Sequence, residues 1–453
     1  MKRIFLIFGL GLAGIGVGVR AQEKKVWTLE ECISYALEQN ITVRKSVLSN
    51  QSLVYTAEQT KAQRFPSVNG SIGENFNWMS ADGFFGSGDS LALGVIGSNS
   101  TSFRVNSSVT VYNFGKLNNQ IKQSELNIES GNLSLATTKE SISLSILNAF
   151  LQVLYAQEQV KNSEKQIESV KQQLNLAEER LLLRAISQSD YLQIKSQLAS
   201  QQLTLANAQS TLAITRVNLM QLMELPVDNN FEIAQPNFDA QLNQNRTPDV
   251  QEVFAKALEI KPQIKNAEIS KQVAALDEKI AKAGYYPSLT ASADINTSGS
   301  INFNNDVLGY AYAPFKEQLD RSLRPQLSFS LSVPIYQRKQ VKTSVAKARI
   351  NYQNAELSEL DTRNQLRKSI EQACQDVSSA QVKYEASLES YNSALESSNI
   401  ADEKFSQGLI NSVDYLITRT TFIVAESQLL QARFNLIFTY KILDFYTGIP
   451  LTL

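Results

Sequence analysis

Two periodicities alternate along the chain. Val68, Gly70, Ile72, Phe76 and Trp78 fall on one side of a two-residue repeat, and Asn69, Ser71, Asn75 and Asn77 on the other. The pattern resumes with Phe103, Val105, Val109 and Val111 against Arg104, Asn106, Ser108 and Thr110. It returns at Leu289, Ala291, Ala293 and Ile295, then at Leu327, Phe329, Leu331, Val333 and Ile335. A period of two predicts four half-apolar strands of roughly 10–12 residues. Elsewhere the spacing is seven. Ile121, Ile128, Leu135 and Ile142 form one such series, Val160, Ile167, Leu174 and Leu181 a second, and Leu198, Leu205, Leu212 and Leu219 a third. A sustained heptad predicts helices packed as left-handed coiled coils.

The breakers of regular structure set the lengths. No proline lies between Pro66 and Pro226 or between Pro334 and Pro450, and no glycine between Gly131 and Gly284. The stretch from Lys116 to about Leu183 therefore predicts one helix about 100 Å long. Ordinary globular helices average about 11–12 residues, so a common helical bundle does not account for it. Two shorter helices are expected before the first strand. One runs from Trp27 to Asn40, with Thr28 as N-cap and Glu31 completing a capping box; the other runs from Ile41 to about Arg64, ending ahead of Pro66.

The chain also repeats itself. A shift of 221 places Ala36-Leu37-Glu38 on Ala257-Leu258-Glu259 and Phe65-Pro66-Ser67 on Tyr286-Pro287-Ser288. A shift of 224 places Tyr112 on Tyr336, Asp190-Tyr191-Leu192 on Asp414-Tyr415-Leu416, and Pro226 on Pro450. The expected organisation is a first repeat over 22–226 with a β-hairpin at about 67–112, a polar linker over 227–247, and a second repeat over 248–453 with a hairpin at about 288–336. Ahead of these, Lys2 and Arg3, an apolar stretch over 4–19 and Val19-Arg20-Ala21 read as a signal peptide over 1–21. A retained anchor helix is the alternative, though the segment is short and glycine-rich for a span.

Composition narrows the chemistry. The chain has no histidine, which removes His-dependent triads and most catalytic zinc sites. Its two cysteines, Cys32 and Cys374, are too few for a zinc knuckle or a disulfide framework. A formal charge of −1 offers no field for nucleic acid, so no nucleic-acid partner is expected. No phosphate loop, nucleophile elbow or metal cluster is present, and neither an enzyme activity nor a cofactor is expected.

Four strands, apolar on one face and polar on the other, match the wall of a transmembrane β-barrel. Four cannot close, and open edges are prohibitive in lipid, so closure needs several chains; three copies would supply twelve strands. The expected fold is mainly α with a small β part. Duplicated long-helix coiled-coil repeats form a helical barrel, and four strands per chain contribute to a trimeric twelve-stranded transmembrane β-barrel. The barrel reading predicts Phe103, Val105, Leu327 and Phe329 toward lipid, and Arg104, Asn106, Gln326 and Ser328 toward the lumen. A soluble four-stranded sheet beside a bundle is the plainer alternative.

The order helix, helix, hairpin, long helix, helix, given twice, resembles the TolC-type outer-membrane efflux proteins. The residues carrying the resemblance include Thr28-Leu29-Glu30-Glu31-Cys32, Phe65-Pro66-Ser67-Val68, Val111-Tyr112-Asn113-Phe114-Gly115-Lys116 and Leu222-Met223-Glu224-Leu225-Pro226. Tyr286-Pro287-Ser288-Leu289, Val333-Pro334-Ile335-Tyr336, and Gly408-Leu409 followed by Asp414-Tyr415-Leu416 continue it. The resemblance implies a homotrimer in the outer membrane of a Gram-negative bacterium, with a helical extension across the periplasm. Such a trimer is an exit duct of a tripartite efflux or type I secretion system, coupled by a periplasmic adaptor to an inner-membrane pump. A membrane-anchored trimeric coiled-coil adhesin or stalk is the alternative, but it predicts a single long helix and one terminal anchor.

The resemblance also assigns a working end, the two helix-to-helix turns at about 183–189 and 407–413. Gly408, Leu409, Ile410 and Asn411 in one, and Arg184, Ala185, Ile186 and Ser187 in the other, would contact the adaptor. The family's turns usually carry a glycine; Gly408 fits, and Arg184 does not. Either the Arg184 turn has another geometry, or Arg184 adds a charge to adaptor choice. Asp414 matches the first of two aspartates that ring the periplasmic constriction in the family, with Asp190 as its counterpart in the first repeat. The second aspartate position is Ile417 here, and the family's basic latch falls on Ile410. On residue chemistry alone, both aspartates also suit helix N-caps, placed as they are just after a turn.

Overall fold

Thr28 opens the first helix. Its hydroxyl accepts from the Glu31 amide at 3.2 Å, and the Thr28 amide donates to the Glu31 carboxylate at 3.0 Å, so the capping box is complete. The computed structural model describes residues 26–80, 95–228, 231–236, 238, 248–303 and 313–453. The expected signal peptide, the glycine-rich loop of the first hairpin and much of the expected linker lie outside these residues.

Helices α1 (Leu29–Gln39) and α2 (Ile41–Ala62) lead into strands β2 (Ser67–Ser80) and β3 (Val95–Tyr112), then helices α3 (Lys116–Leu182) and α4 (Gln188–Leu222). The second half gives α5 (Val250–Ile260), α6 (Pro262–Lys282), β5 (Ser288–Asn302), a short α7 (Phe315–Ser322), β6 (Arg324–Ser332), α8 (Gln340–Ser406) and α9 (Ser412–Thr447). Trp27, expected in the first helix, lies instead in β1 (Val26–Trp27), which pairs in parallel with β4 (Glu232–Ile233). Its ring packs edge-on to Tyr35 and tilted on Phe231.

Helices α3 and α8 each run for 67 residues, about 100 Å apiece at the α-helical rise. Each folds back along a shorter partner, α3 along α4 and α8 along α9, and α6 packs against both long helices. Every heptad residue named above is buried or half-buried. The main core lies partway along the long helices. There Cys32 and Ala36 of α1 meet Ile146, Leu147 and Phe150 of α3, Leu219 of α4 and Met223 just past its end, and Ile437 of α9. A second cluster joins Ala257 of α5 to Ile370, Cys374 and Val377 of α8 and Leu443 of α9. Both cysteines are buried and neither forms a disulfide.

The four long strands form one antiparallel sheet in the order β2-β3-β5-β6, so the two hairpins join through β3 and β5. The register aligns the alternation of all four strands. Gly70, Val105, Ile295 and Pro325 lie across from one another on one row, and Asn69, Asn106, Asp294 and Gln326 on the next. Phe103, Val105, Leu327 and Phe329 thus share an apolar face with Val68 and Ile72, while Arg104, Asn106, Gln326 and Ser328 share the polar one. On the polar face Arg104 and Asp294 form an ion pair at 3.7 Å. The Ser292 and Ser328 hydroxyls bond across strands at 2.7 Å.

Strand lengths depart from expectation. Three strands have 14, 18 and 15 residues, and β6 only 9. Val333 and Ile335, expected on the last strand, lie beyond it, because Pro334 offers no amide to a ladder. Val111 is displaced by a bulge between Thr110 and Tyr112. Pro325 is tolerated inside β6 because that strand is at the sheet edge. No helix among the described residues is long and apolar enough to cross a membrane.

Candidate functional site

Each long helix ends in the same way. At the end of α3 the Ala185 amide donates to the Arg180 carbonyl at 2.8 Å, and the Arg184 amide to the Leu181 carbonyl at 3.0 Å. At the end of α8 the Leu409 amide donates to Lys404 at 2.9 Å, and the Gly408 amide to Phe405 at 3.1 Å. Both are Schellman motifs, which need a left-handed residue just past the helix. Gly408 supplies it at φ 73°, and Arg184 at φ 56°. Of the two alternatives for the Arg184 turn, a different geometry is ruled out: the arginine adopts the glycine's conformation.

The turns then start their second helices with matching caps. Ser187 caps α4, its hydroxyl accepting from the Asp190 amide at 3.1 Å. Asn411 caps α9, its carbonyl accepting from the Asp414 amide at 2.8 Å. Asp190 and Asp414 are thus not the N-caps; each stands three residues later and reaches back to its cap. Ile186 and Ile410 are half-buried, while Ala185, Leu409 and Asn411 are exposed.

The two aspartates differ in surroundings. Asp414 is exposed, and its carboxylate accepts from the Asn411 side-chain amide at 3.0 Å. Asp190 is half-buried and links the turns. One of its oxygens accepts from the Ser187 hydroxyl at 2.7 Å, and the other from the hydroxyl of buried Ser412, on the opposite turn. Ser412 also lies 3.0 Å from the Gln193 side-chain oxygen. These bonds, the Ser187 one foremost and then that of Ser412, hold the Asp190 carboxyl below the usual carboxylate range.

A second set of contacts joins the hairpins just above the turns. Arg180 donates to the carbonyls of Phe405, at 3.0 Å, and Ser406. The ring of Tyr415, 1% exposed, stacks on Phe405 with centroids 4.6 Å apart, and its hydroxyl donates to Asp402 at 2.8 Å. Burial first, and then the Asp402 bond, push that phenol well above its ordinary pKa. Arg419 donates to Ser398 and Ser169 at 3.1 and 2.9 Å and lies 3.8 Å from Asp402. A cleft of about 230 Å³ opens here between α3 and α8. Arg180 and Ser412 went unnoticed in the sequence, because their partners stand more than two hundred positions away.

The tip is also greasy. Leu182, Leu183 and Leu409 are 80%, 79% and 67% exposed. Ile417, at the second aspartate position, is exposed as well. Among the described residues no cluster of carboxylates and thiols could hold a metal ion.

Long paired helices carrying a sheet that is apolar on one face and, among the described residues, open at both edges define a membrane-protein subunit. The comparisons with known proteins agree. The sequence profile of the outer membrane efflux protein family matches residues 32–224 and 253–448. The chain belongs to that family, whose place is the outer membrane and whose work is efflux. Among solved structures it is similar to CusC, described in terms of folding and transmembrane channel formation, at 17% identity and a TM-score of 0.78, over 93% of this chain and 92% of that one. It is similar also to the outer-membrane channel OprN, at 16% and 0.76 over 93% and 90% of the two chains. The Campylobacter jejuni outer membrane channel CmeC matches at 15% and 0.76, over 93% and 85%. No curated protein matches in sequence.

Proposed function

We propose that three copies of this chain form a closed duct through the outer membrane and across the periplasm, the exit of a tripartite efflux or type I secretion system. The observation that carries this reading is the sheet: one face mainly apolar across all four strands, the other polar, and both edges, β2 and β6, unpaired among the described residues. In lipid such edges must be closed by other strands. Twelve strands from three copies would do so, with Val105 and Phe329 toward lipid and Arg104 and Asp294 toward the lumen. An inner-membrane pump would deliver cargo through a periplasmic adaptor seated on the tip turns, where Leu182, Leu183 and Leu409 offer apolar contact around Arg184 and Gly408.

The two halves read as a duplication. In support, the left-handed residues fall in pairs one repeat apart: Phe114 with Arg338, Gly115 with Lys339, Arg184 with Gly408, and Glu224 with Gly448. The family profile also matches the chain in two segments.

Asp414 would be the constriction residue. It is exposed beside the turn, and threefold symmetry would bring three carboxylates near the axis, where they attract cations. Asp190 is the weaker candidate, since its oxygens are engaged by Ser187 and Ser412. The test is single-channel recording in planar bilayers. The unmodified protein should give discrete cation-preferring conductance, and Asp414→Asn should keep the channel but reduce its cation preference and its block by trivalent cations. Channels unchanged in both respects would remove Asp414 from the gate; no conductance from the unmodified protein would remove the duct.

A further inference from the structure

Among the described residues helix α7 has no counterpart in the first half of the chain, and it sits where a strand should be. Strand β6 stops at Arg324, opposite Asn296, so β5 continues from Thr297 to Asn302 with no strand among the described residues on that side. Helix α7 takes over this edge. The Ser298 amide donates to the Ser322 hydroxyl at 3.0 Å, and that hydroxyl lies 2.6 Å from the Ser298 carbonyl. The Ser300 amide donates to the Gln318 side chain at 2.8 Å, and the Thr297 hydroxyl to the Leu319 carbonyl at 2.6 Å. Phe315 lies over Gly299, where a methyl group would stand only 2.5 Å from its ring. Phe315, Gln318, Leu319 and Ser322 therefore form the inward face, at helical spacing.

The outward face is charged. Lys316, Asp320 and Arg321 are exposed there. Charges at membrane depth cost several kcal/mol against lipid and are retained where a polar partner meets them. In the closed ring proposed above, the element beyond β6 is β2 of the next copy. With their periplasmic ends level, the 9 residues of β6 reach Asn75 on that strand of 14, leaving Phe76, Asn77 and Trp78, paired with β3 on one side, without a strand on the other. The missing strand leaves two ladder spacings, about 9–10 Å, between β5 and the next β2. A helix about 10–12 Å across is wider than that, so α7 bridges the gap while leaning over the apolar face, where Thr297 and Gly299 meet it. Charge matches as well. Glu74 stands on the apolar face of β2 at this height, and among the described residues neither it nor Lys316 has an ion-pair partner in its own chain.

We infer that α7 is an intersubunit wall element, its charged face docked on the open outer part of β2 of a second copy of this chain. This rests on the trimeric duct reading. It makes α7 part of what closes the barrel, not a loose surface loop.

The test is disulfide trapping in outer membranes from cells producing the full chain, with Asp320→Cys combined in turn with Glu74→Cys, Asn75→Cys and Asn77→Cys. Within one chain β3 and β5 separate these positions, so a bond between them joins two copies. Cys32 and Cys374 are buried, and the single variants control for them. Oxidation should give a covalent ladder up to three chains on non-reducing gels for at least one pair, and none for the single variants. A trimer on native gels with no ladder from any pair would overturn the docking while leaving the duct intact. Alkylation of the Asp320→Cys trimer by a lipid-anchored maleimide would overturn it too, by showing α7 turned to lipid. An unmodified protein that forms no trimer would remove the duct and this inference together.

Discussion

Arg184 and Gly408 hold the same backbone conformation at equivalent turns, and only one of them suits it. A non-glycine residue in the left-handed region costs roughly 1–2 kcal/mol locally, partly offset by its smaller entropy loss on folding. Arg184→Gly should therefore stabilise its turn by roughly 0.5–1 kcal/mol, with slower hydrogen exchange at the Arg184 and Ala185 amides. Faster exchange would mean that the arginine side chain itself holds the turn. Asp190 adds a pH dependence. Its folded-state pKa lies below the ordinary value of 3.8, so its stabilising contribution is present above about pH 4 and is lost as pH falls through the lower folded value. Protonation would weaken the bonds from Ser187 and Ser412 and loosen one turn from the other. Protease cleavage within 183–189 should rise on acidification below pH 4 in the unmodified protein, and Asp190→Asn should show the raised level already at neutral pH. A variant cleaved like the unmodified protein at neutral pH would show that Ser412 does not depend on this carboxylate. Neither feature was legible beforehand. Propensity argues against a left-handed arginine, and no local spacing reveals a bond between positions 190 and 412.

At the scale of elements, much was written in the pattern. The heptads and the absence of breakers marked α3 to within a residue or so of its ends, because a long coiled coil must repeat its contacts. The alternation marked all four strands and their shared apolar face for a similar reason: a one-residue slip would exchange every side chain. What the pattern missed were ends set by single residues. Pro334 stops β6 short, a bulge displaces Val111, and Trp27 joins a two-stranded sheet through residues far along the chain. The orientation of the faces is open to a paired test. Val105→Arg should cost about 2–4 kcal/mol if Val105 faces lipid near the midplane, and Asn106→Arg much less. Trimer yield in the outer membrane reads the difference, and equal yields would contradict the orientation.

At the scale of the molecule, the elements have complementary needs. In the proposed trimer the sheet is a third of a wall, with edges at β2 and β6 that lipid does not tolerate. The helical hairpins are about 100 Å long and end in turns whose apolar residues stand in solvent. A closed ring of copies meets the first need, and a partner at the tip meets the second. The most direct test is native mass spectrometry of the unmodified protein extracted in detergent from purified outer membranes. The duct requires a particle of three mature chains. A single chain of about 50.4 kDa or less, recovered from the soluble periplasm without detergent, would contradict it.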